Sequence, residues 1–174
     1  MIRFCEAKFA LEKKKIFHLE LQMVEKSKFV ESLPHTKRVV AAVIFNPERD
    51  AVLLGQRAKN IRFGGLWEFI GGKIEEGEGL WEAMIRELEE ELSLKFEPKK
   101  ILDILEHDLG EDIGPVQINF IECDPVGEIV LDGDFPFHDE VNWVRLEDLS
   151  GLELIGSDAK FGQKLAESFY FIES

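Results

Sequence analysis

The sequence is poor in cysteine, with only Cys5 and Cys123 among 174 residues and no CxxC pair. This spacing provides neither a disulfide framework nor a zinc motif, so both residues are interpreted as thiols of a reducing compartment. No apolar run approaches the roughly 20 residues that a membrane-spanning helix requires. The first 15 residues end in three lysines without a following apolar stretch, unlike a secretory signal. We therefore expect a cytoplasmic protein with no membrane partner.

Basic residues are also scarce, since 21 Lys and Arg face 35 Asp and Glu and leave a formal net charge of -14. This sign argues against general binding to nucleic acid or to anionic lipid. Carboxylates can still serve an anionic substrate where divalent cations bridge the two. The length and the hydrophobic content of 45% predict one folded domain with its own core.

The hydrophobic pattern divides the chain into a short extension and a main domain. Residues 16–24 alternate apolar and polar side chains, which is typical of a half-buried strand. We predict that residues 1–36 form a hairpin extension that packs on the domain or at a homodimer interface, because a free hairpin is marginal in water. The polar segment around Pro34 marks the boundary, and residues 37–174 form the main domain.

The main domain alternates predicted strands and helices. Apolar runs predict a hairpin of strands 39–45 and 51–54, strands 101–109 and 116–123 around a turn at 110–115, and a strand at 141–144. Residues 64–79 carry six glycines and no helical period, which predicts a loop. Helical periodicity predicts helices over 80–92 and 158–169. This order indicates an α+β fold, an αβα sandwich with a mixed β-sheet.

Three carboxylates, Glu87, Glu90 and Glu91, fall on one face of the predicted helix 80–92, because offsets of three and four residues span a single turn. A solvated acidic face is the simpler interpretation of such a run. The surroundings favour a functional site instead, since Arg86 can pair with Glu90 and Glu78 lies just before the helix. Clustered oxygen ligands suit Mg²⁺ or Mn²⁺ better than zinc, which prefers His or Cys.

The segment from Gly72 to Leu94 resembles the Nudix box, Gly-x5-Glu-x7-Arg-Glu-U-x-Glu-Glu-x-Gly-U, where U is aliphatic. Eight of its nine fixed positions are met, and Ser93 stands where the family has glycine. Ser93 closes the helix, so a left-handed backbone there costs serine about 1 kcal/mol. The resemblance covers most of residues 37–169. It implies the Nudix αβα sandwich and hydrolysis of a nucleoside diphosphate linked to another moiety.

The resemblance also implies roles for individual residues. The implied metal ligands are the carbonyl of Gly71 and four carboxylates, those of Glu87, Glu90, Glu91 and Glu140. Glu140 is preferred over Asp139 for the loop ligand, and Glu90 is either a ligand or the base for the attacking water. Glu78 and Arg86 are implied to support the metal-binding glutamates, which Arg86 orients. The implied catalytic set is therefore Glu78, Arg86, Glu87 and Glu90. The cofactor is expected to be Mg²⁺ or Mn²⁺.

Residues 65–73 are similar to the WEFPGGK segment of MutT-like nucleoside triphosphate pyrophosphatases, with Ile70 replacing the proline. This likeness implies conversion of a (d)NTP, 8-oxo-dGTP included, to the monophosphate and pyrophosphate. The implied substrate-binding residues are Arg57, Lys73, Phe69 and Asp158. Arg57 has the alternative of an ordinary surface arginine, and Asp158 has that of a helix N-cap worth about 1 kcal/mol.

Two alternative functions stay open. A nucleoside diphosphate sugar hydrolase would use the same box, and its N-terminal strands could pair across a dimer. A Nudix-fold module that binds without hydrolysis has no need of all the box residues, so the intact glutamates and Arg86 argue against it. The four histidines lie apart with no ligand spacing, and no catalytic role is assigned to them.

Overall fold

The structure is a computed structural model that describes residues 37–108 and 114–173. The predicted N-terminal hairpin, and most of the predicted turn at residues 110–115, lie outside the described residues. In chain order the elements are β1 (Lys37–Val43), β2 (Ala51–Arg57), β3 (Trp67–Glu68), α1 (Leu80–Leu92), β4 (Phe96–Asp108), β5 (Pro115–Pro125), β6 (His138–Arg145), a 3₁₀ helix (Leu146–Gly151) and α2 (Gly156–Glu173). No helix in these ranges is long and apolar enough to cross a membrane.

The strands form two three-stranded sheets. One has the order β1-β5-β4, in which β1 runs parallel and β4 antiparallel to β5, so this sheet is mixed. The other has the order β3-β2-β6 and is antiparallel. The predicted hairpin of strands 39–45 and 51–54 forms only next to the turn, because β1 and β2 belong to different sheets. The antiparallel Phe45–Val52 bridge joins the two segments there, with hydrogen bonds from the Leu53 amide to the Ile44 carbonyl at 2.9 Å and from the Asn46 amide to the Ala51 carbonyl at 3.1 Å.

The chain passes between the sheets through the turn at residues 46–50. The Asn46 side-chain oxygen accepts hydrogen bonds from the amides of Asp50 and Ala51, both at 3.0 Å, as expected of an Asx-type turn. β1 pairs with β5 in the mixed sheet. Its apolar residues are buried on both faces of that sheet, which is typical of a strand in parallel pairing.

Hydrophobic side chains pack on both faces of the β layers. Along β1, Val40 and Ala42 pack in the core beneath α1, whereas Ala41 and Val43 pack in the core beneath α2. This alternation follows from the two-residue period of a strand. A helix thus covers each face, and the predicted αβα sandwich is confirmed.

Helix α1 has the bounds that its apolar periodicity predicts. Met84 and Leu88 are fully buried against the strands. At the start, the Glu82 carboxylate accepts a 2.8 Å hydrogen bond from the Gly79 amide. At the end, Ser93 adopts the left-handed conformation with φ 56° and ψ 26°, and its amide donates to the Glu89 carbonyl at 3.0 Å. The family position for glycine thus has the backbone geometry that glycine favours.

This geometry predicts that Ser93→Gly raises the free energy of unfolding by about 1 kcal/mol, because glycine adopts positive φ without steric strain. Urea denaturation of the purified variant would measure the gain. Ser93→Ala is the matched control, since alanine also loses the hydroxyl but keeps the strain. Equal stability of the Gly and Ala variants would contradict the explanation.

Candidate active site

The glycine-rich segment lies against β1, where it presents its backbone beside α1. The amides of Val40 and Ala42 donate to the carbonyls of Gly72 and Ile70, at 2.9 and 2.8 Å. Because carbonyls alternate along an extended segment, the Gly71 carbonyl between them projects away from β1. A Cβ atom at Gly71 would lie 2.1 Å from the Val40 carbonyl oxygen, so no other residue type fits without displacing the backbone.

A second glycine makes room for one of the acidic side chains. A Cβ atom at Gly72 would lie 2.4 Å from the Glu87 carboxylate, which therefore packs directly on the Gly72 backbone. Beside this contact is an open cleft of about 730 Å³. Its lining combines the glycine-rich segment with α1 and consists of Gly72, Lys73, Ile74, Glu75, Glu76, Arg86, Glu87 and Glu90.

Arg86 is the central cation of this surface. Its Nε and Nη2 donate to the two carboxylate oxygens of Glu78, both at 2.9 Å, and Nη1 donates to Glu87 at 2.9 Å. A longer contact of 3.3 Å reaches Glu90, which is the pairing predicted from the sequence. Nη2 also donates to the Lys73 carbonyl at 2.9 Å. One guanidinium thus joins the glycine-rich segment to three carboxylates.

The carboxylates differ in their protonation equilibria. Hydrogen bonds from Arg86 and from the Glu75 amide lower the pKa of Glu78, and the Glu78 hydrogen bonds raise the pKa of Arg86. Burial raises the pKa of Glu87 even though Arg86 opposes the change. Burial, followed by the charge of Glu68, raises the pKa of Glu91 to about 8. The site therefore combines carboxylates that differ in their affinity for protons.

The donor set fits a hard divalent cation. All candidate ligands are oxygen atoms, and the Glu91 carboxylate atom Oε2 is buried without a hydrogen-bond partner among the described residues. No three His, Cys, Asp or Glu side chains of residues 37–108 and 114–173 already form a closed metal cage. Glu87 and Glu90 instead face Arg86. To bind a cation, the carboxylates of Glu87 and Glu90 would rotate from Arg86 toward the ion.

Two residues at the site were missed by the sequence analysis, Glu68 and His138. Arg57 donates from Nη1 to both carboxylate oxygens of Glu68 at 2.9 Å, and His138 Nε2 lies 3.0 Å from Glu68 Oε1. Arg57 also donates from Nε to the Arg62 carbonyl at 2.9 Å. Glu68 belongs to residues 65–73, the segment similar to WEFPGGK. No sequence pattern indicated that it would contact Arg57 and His138. Arg57 is thus bound within the protein, with a quarter of its side chain exposed.

Glu140 lies on the other side of the sheet from α1. Its neighbour Val141 packs in the core beneath α1, so Glu140 faces the opposite side of β6. Its exposed carboxylate accepts a 3.0 Å hydrogen bond from Asn142. The alternative ligand Asp139 is also exposed and accepts from the Lys59 amide at 3.2 Å. The structure does not bring either side chain to the carboxylates of α1.

Phe69 is a core residue, which corrects the expectation of a substrate-binding ring. It is 3% exposed, and its ring packs edge-on against Phe120 and Phe161 at centroid distances of 5.6 and 5.2 Å. Lys73, by contrast, has an exposed position at the rim of the cleft. Of the two predicted contacts on this segment, only Lys73 lies where a ligand can reach the side chain.

Asp158 is buried, and its position differs from both sequence predictions, that of a substrate-binding residue and that of a helix N-cap. Helix α2 begins at Gly156, so Asp158 lies in the first turn and the N-cap prediction is wrong. Its Oδ1 accepts a 3.0 Å hydrogen bond from the Phe69 amide, which joins α2 to the segment after β3. Burial raises the pKa of Asp158 to about 7. A carboxylate enclosed in this way offers no exposed edge to a nucleobase.

A β layer of two sheets between helices, with an acidic helix beside a glycine-rich segment, defines the class of fold and site. The NUDIX domain model matches residues 35–167. The chain therefore belongs to the NUDIX family, and the predicted resemblance is confirmed.

The chain is also similar to individual proteins. Over 72 residues it is 36% identical to an 8-oxo-dGTP diphosphatase of Proteus vulgaris, covering 41% of this chain and 64% of the relative. Over 58 residues it is 50% identical to a CTP pyrophosphohydrolase of Escherichia coli, covering 33% and 41%. The chain thus spans less than two thirds of the length of each. The crystal structure of a MutT protein from Methanosarcina mazei is 29% identical, with a TM-score of 0.62, over 79% of this chain and 99% of that one.

The burial of Asp158 predicts a specific pH dependence. Its folded pKa of about 7 exceeds the ordinary value of 3.8, so the folded protein retains this proton over a range in which the unfolded chain releases it. Through this group, stability falls as pH rises, by roughly 3 kcal/mol between pH 5 and pH 8. Asp158→Asn keeps an oxygen acceptor and does not ionise. Urea denaturation should show the variant gaining on the wild type by this amount at pH 8 relative to pH 5.

Asp132→Asn is the control, because Asp132 is exposed and its substitution should leave the pH profile unchanged. A difference between Asp158→Asn and wild type that is the same at both pH values would contradict a buried, protonated carboxyl group.

Proposed function

We propose that the chain is a divalent-metal-dependent pyrophosphohydrolase of nucleoside diphosphate derivatives, acting on a (d)NTP to release the monophosphate and pyrophosphate. The observation that carries this proposal is the face of α1, where Glu87, Glu90 and Arg86 border an open cleft beside the glycine-rich segment. The names of two relatives, an 8-oxo-dGTP diphosphatase and a CTP pyrophosphohydrolase, support a nucleotide substrate.

Glu87, Glu90, Glu91 and the Gly71 carbonyl would hold Mg²⁺ or Mn²⁺. Glu140 is left out of this set because it lies on the opposite face of β6. When bound, the cation would neutralise charge on the phosphates, lower the pKa of a coordinated water and stabilise the leaving phosphate. A chain with a net charge of -14 needs such neutralisation to bind a polyphosphate.

The chain's own residues divide the remaining work. Glu90 has the most exposed carboxylate of these three glutamates, at 55% of its side chain, and would accept the proton of the attacking water. Arg86 orients the glutamates through its hydrogen bonds, and Glu78 holds Arg86 from the other side. Lys73 at the cleft rim, and the exposed part of Arg57, would contact phosphate oxygens. Water adds to one phosphorus of the anhydride, and the bridging oxygen leaves with the other phosphate.

A substrate screen with identified products tests this assignment. The panel would contain the four dNTPs, CTP, 8-oxo-dGTP and ADP-ribose, each with Mg²⁺ and with EDTA. Metal-dependent release of pyrophosphate from a triphosphate supports the proposal. Preferential cleavage of ADP-ribose would replace it with a nucleoside diphosphate sugar hydrolase, and binding without cleavage of any compound would replace it with a binding module.

The ligand assignment predicts that Glu91→Gln lowers kcat by roughly 100-fold or more, because a metal-ligating carboxylate is lost. The fold should be as stable as wild type or more stable at pH 8, since the buried charge is removed. The folded pKa of Glu91, about 8, lies above its ordinary value, so ionisation of this group costs stability as pH rises toward 8. Steady-state kinetics and thermal melts would measure both effects.

Glu89→Gln is the matched control on the same helix, because Glu89 is exposed and does not line the acidic cleft. It should keep wild-type kcat. Near-normal Mg²⁺-dependent turnover by Glu91→Gln would show that Glu91 is not a ligand.

A further inference from the structure

His138 reaches the acidic helix because of an irregularity in the sheet. Gln56 pairs with Glu140 and Arg57 pairs with His138, so Asp139 is an extra residue opposite the Gln56–Arg57 step. Such a bulge changes the face on which the following residues lie. Without it, regular alternation would place position 138 on the same face as Glu140, away from α1. With it, the imidazole lies between the sheet and α1.

The imidazole is held in a fixed position. Its side chain has 0% exposure. A Cβ atom at Gly55 would lie 2.3 Å from its Cδ2 atom, so the ring packs directly on the Gly55 backbone and any larger residue would displace it. The chain therefore combines a glycine in β2 with a bulge in β6 to place one buried histidine.

Two carboxylates meet the same ring nitrogen. His138 Nε2 lies 3.0 Å from Glu68 Oε1 and 3.9 Å from Glu91 Oε2. Glu68 pairs with the Arg57 guanidinium through both carboxylate oxygens, so its Oε1 acts as the acceptor and Nε2 of His138 carries the hydrogen. The distance to Glu91 is too long for a hydrogen bond, so the N–H attracts this carboxylate without binding it.

We propose that His138 is a positioning residue for Glu91, which it holds in place for cation binding; this inference rests on the function proposed above. The ring, fixed by Gly55 and Glu68, fills the space beside the Glu91 carboxylate and presents a polarised N–H to its Oε2. Arg57 offsets the charge of Glu68, which would otherwise repel Glu91. The carboxylate is then supported on its buried side and keeps its oxygen atoms available to a ligand.

Mn²⁺ affinity, measured by electron paramagnetic resonance on the full chain without nucleotide, tests this role. His138→Gln should raise the Mn²⁺ Kd at least about 10-fold, as expected for loss of a residue that supports a ligand. In a Glu91→Gln background the same substitution should change the Kd less than about twofold, because a residue that acts through Glu91 has no effect once Glu91 is neutral. A purely structural role would give equal effects in both backgrounds.

His107→Gln is the matched control, because the His107 ring lies near Gly156 at the start of α2, away from the acidic helix. It should leave the Mn²⁺ Kd unchanged. Gly55→Ala provides a second variant that keeps the imidazole and displaces it, and it should also weaken Mn²⁺ binding.

The outcomes separate the two proposals. A wild-type protein that binds Mn²⁺ and hydrolyses nucleotide, with His138→Gln within twofold of its Kd, overturns the positioning role alone. Equal effects in the wild-type and Glu91→Gln backgrounds do the same. Failure of both His138→Gln and Gly55→Ala to fold would show a structural role and would also overturn it. A wild-type protein that binds no Mn²⁺ overturns the proposed function together with this inference.

Discussion

The arrangement of the acidic helix depends on a single guanidinium, that of Arg86. In a chain with 14 more acidic than basic charges, carboxylates placed on one helix turn repel one another. Arg86 opposes this repulsion with paired hydrogen bonds to Glu78 and a third to Glu87, all at 2.9 Å. An isolated exposed ion pair contributes little, but a planar fork that contacts several acceptors also fixes geometry. Its further bond to the Lys73 carbonyl sets the distance between the glycine-rich segment and α1.

A second arginine, Arg57, also pairs with a carboxylate of the site. Arg57 contacts both oxygen atoms of Glu68, whose Oε1 also meets the buried His138. The Glu91 carboxylate lies 3.9 Å from the His138 ring nitrogen, and its Oε2 is buried without a hydrogen-bond partner among the described residues, so burial raises the pKa of Glu91. A buried carboxylate of this kind is stabilised by a proton or by a bound cation.

The sequence predicted local features well and long-range features poorly. The period of Leu80–Leu92 defined α1, and the family position of Ser93 indicated a left-handed helix end, because both depend on neighbouring residues. The αβα sandwich and the acidic face of α1 followed from the same patterns. Phe69 and Asp158 were misjudged because their burial depends on the packing of α2 on the strands. His138 was missed because one bulge in the β2–β6 register decides which face of the sheet it occupies.

The glycines show why a sequence alone underdetermines such a site. Gly65 and Gly77 adopt positive φ, as turn-forming glycines are expected to do. Gly55 and Gly72 do not, yet a Cβ atom at either would lie within 2.5 Å of a site residue, His138 or Glu87. Their role is close approach of a side chain to the backbone, which no turn propensity records. Each of these contacts joins residues from different segments of the chain. The role of Gly55 and of Gly72 can therefore be recognised only from the packed structure of the sheets and α1.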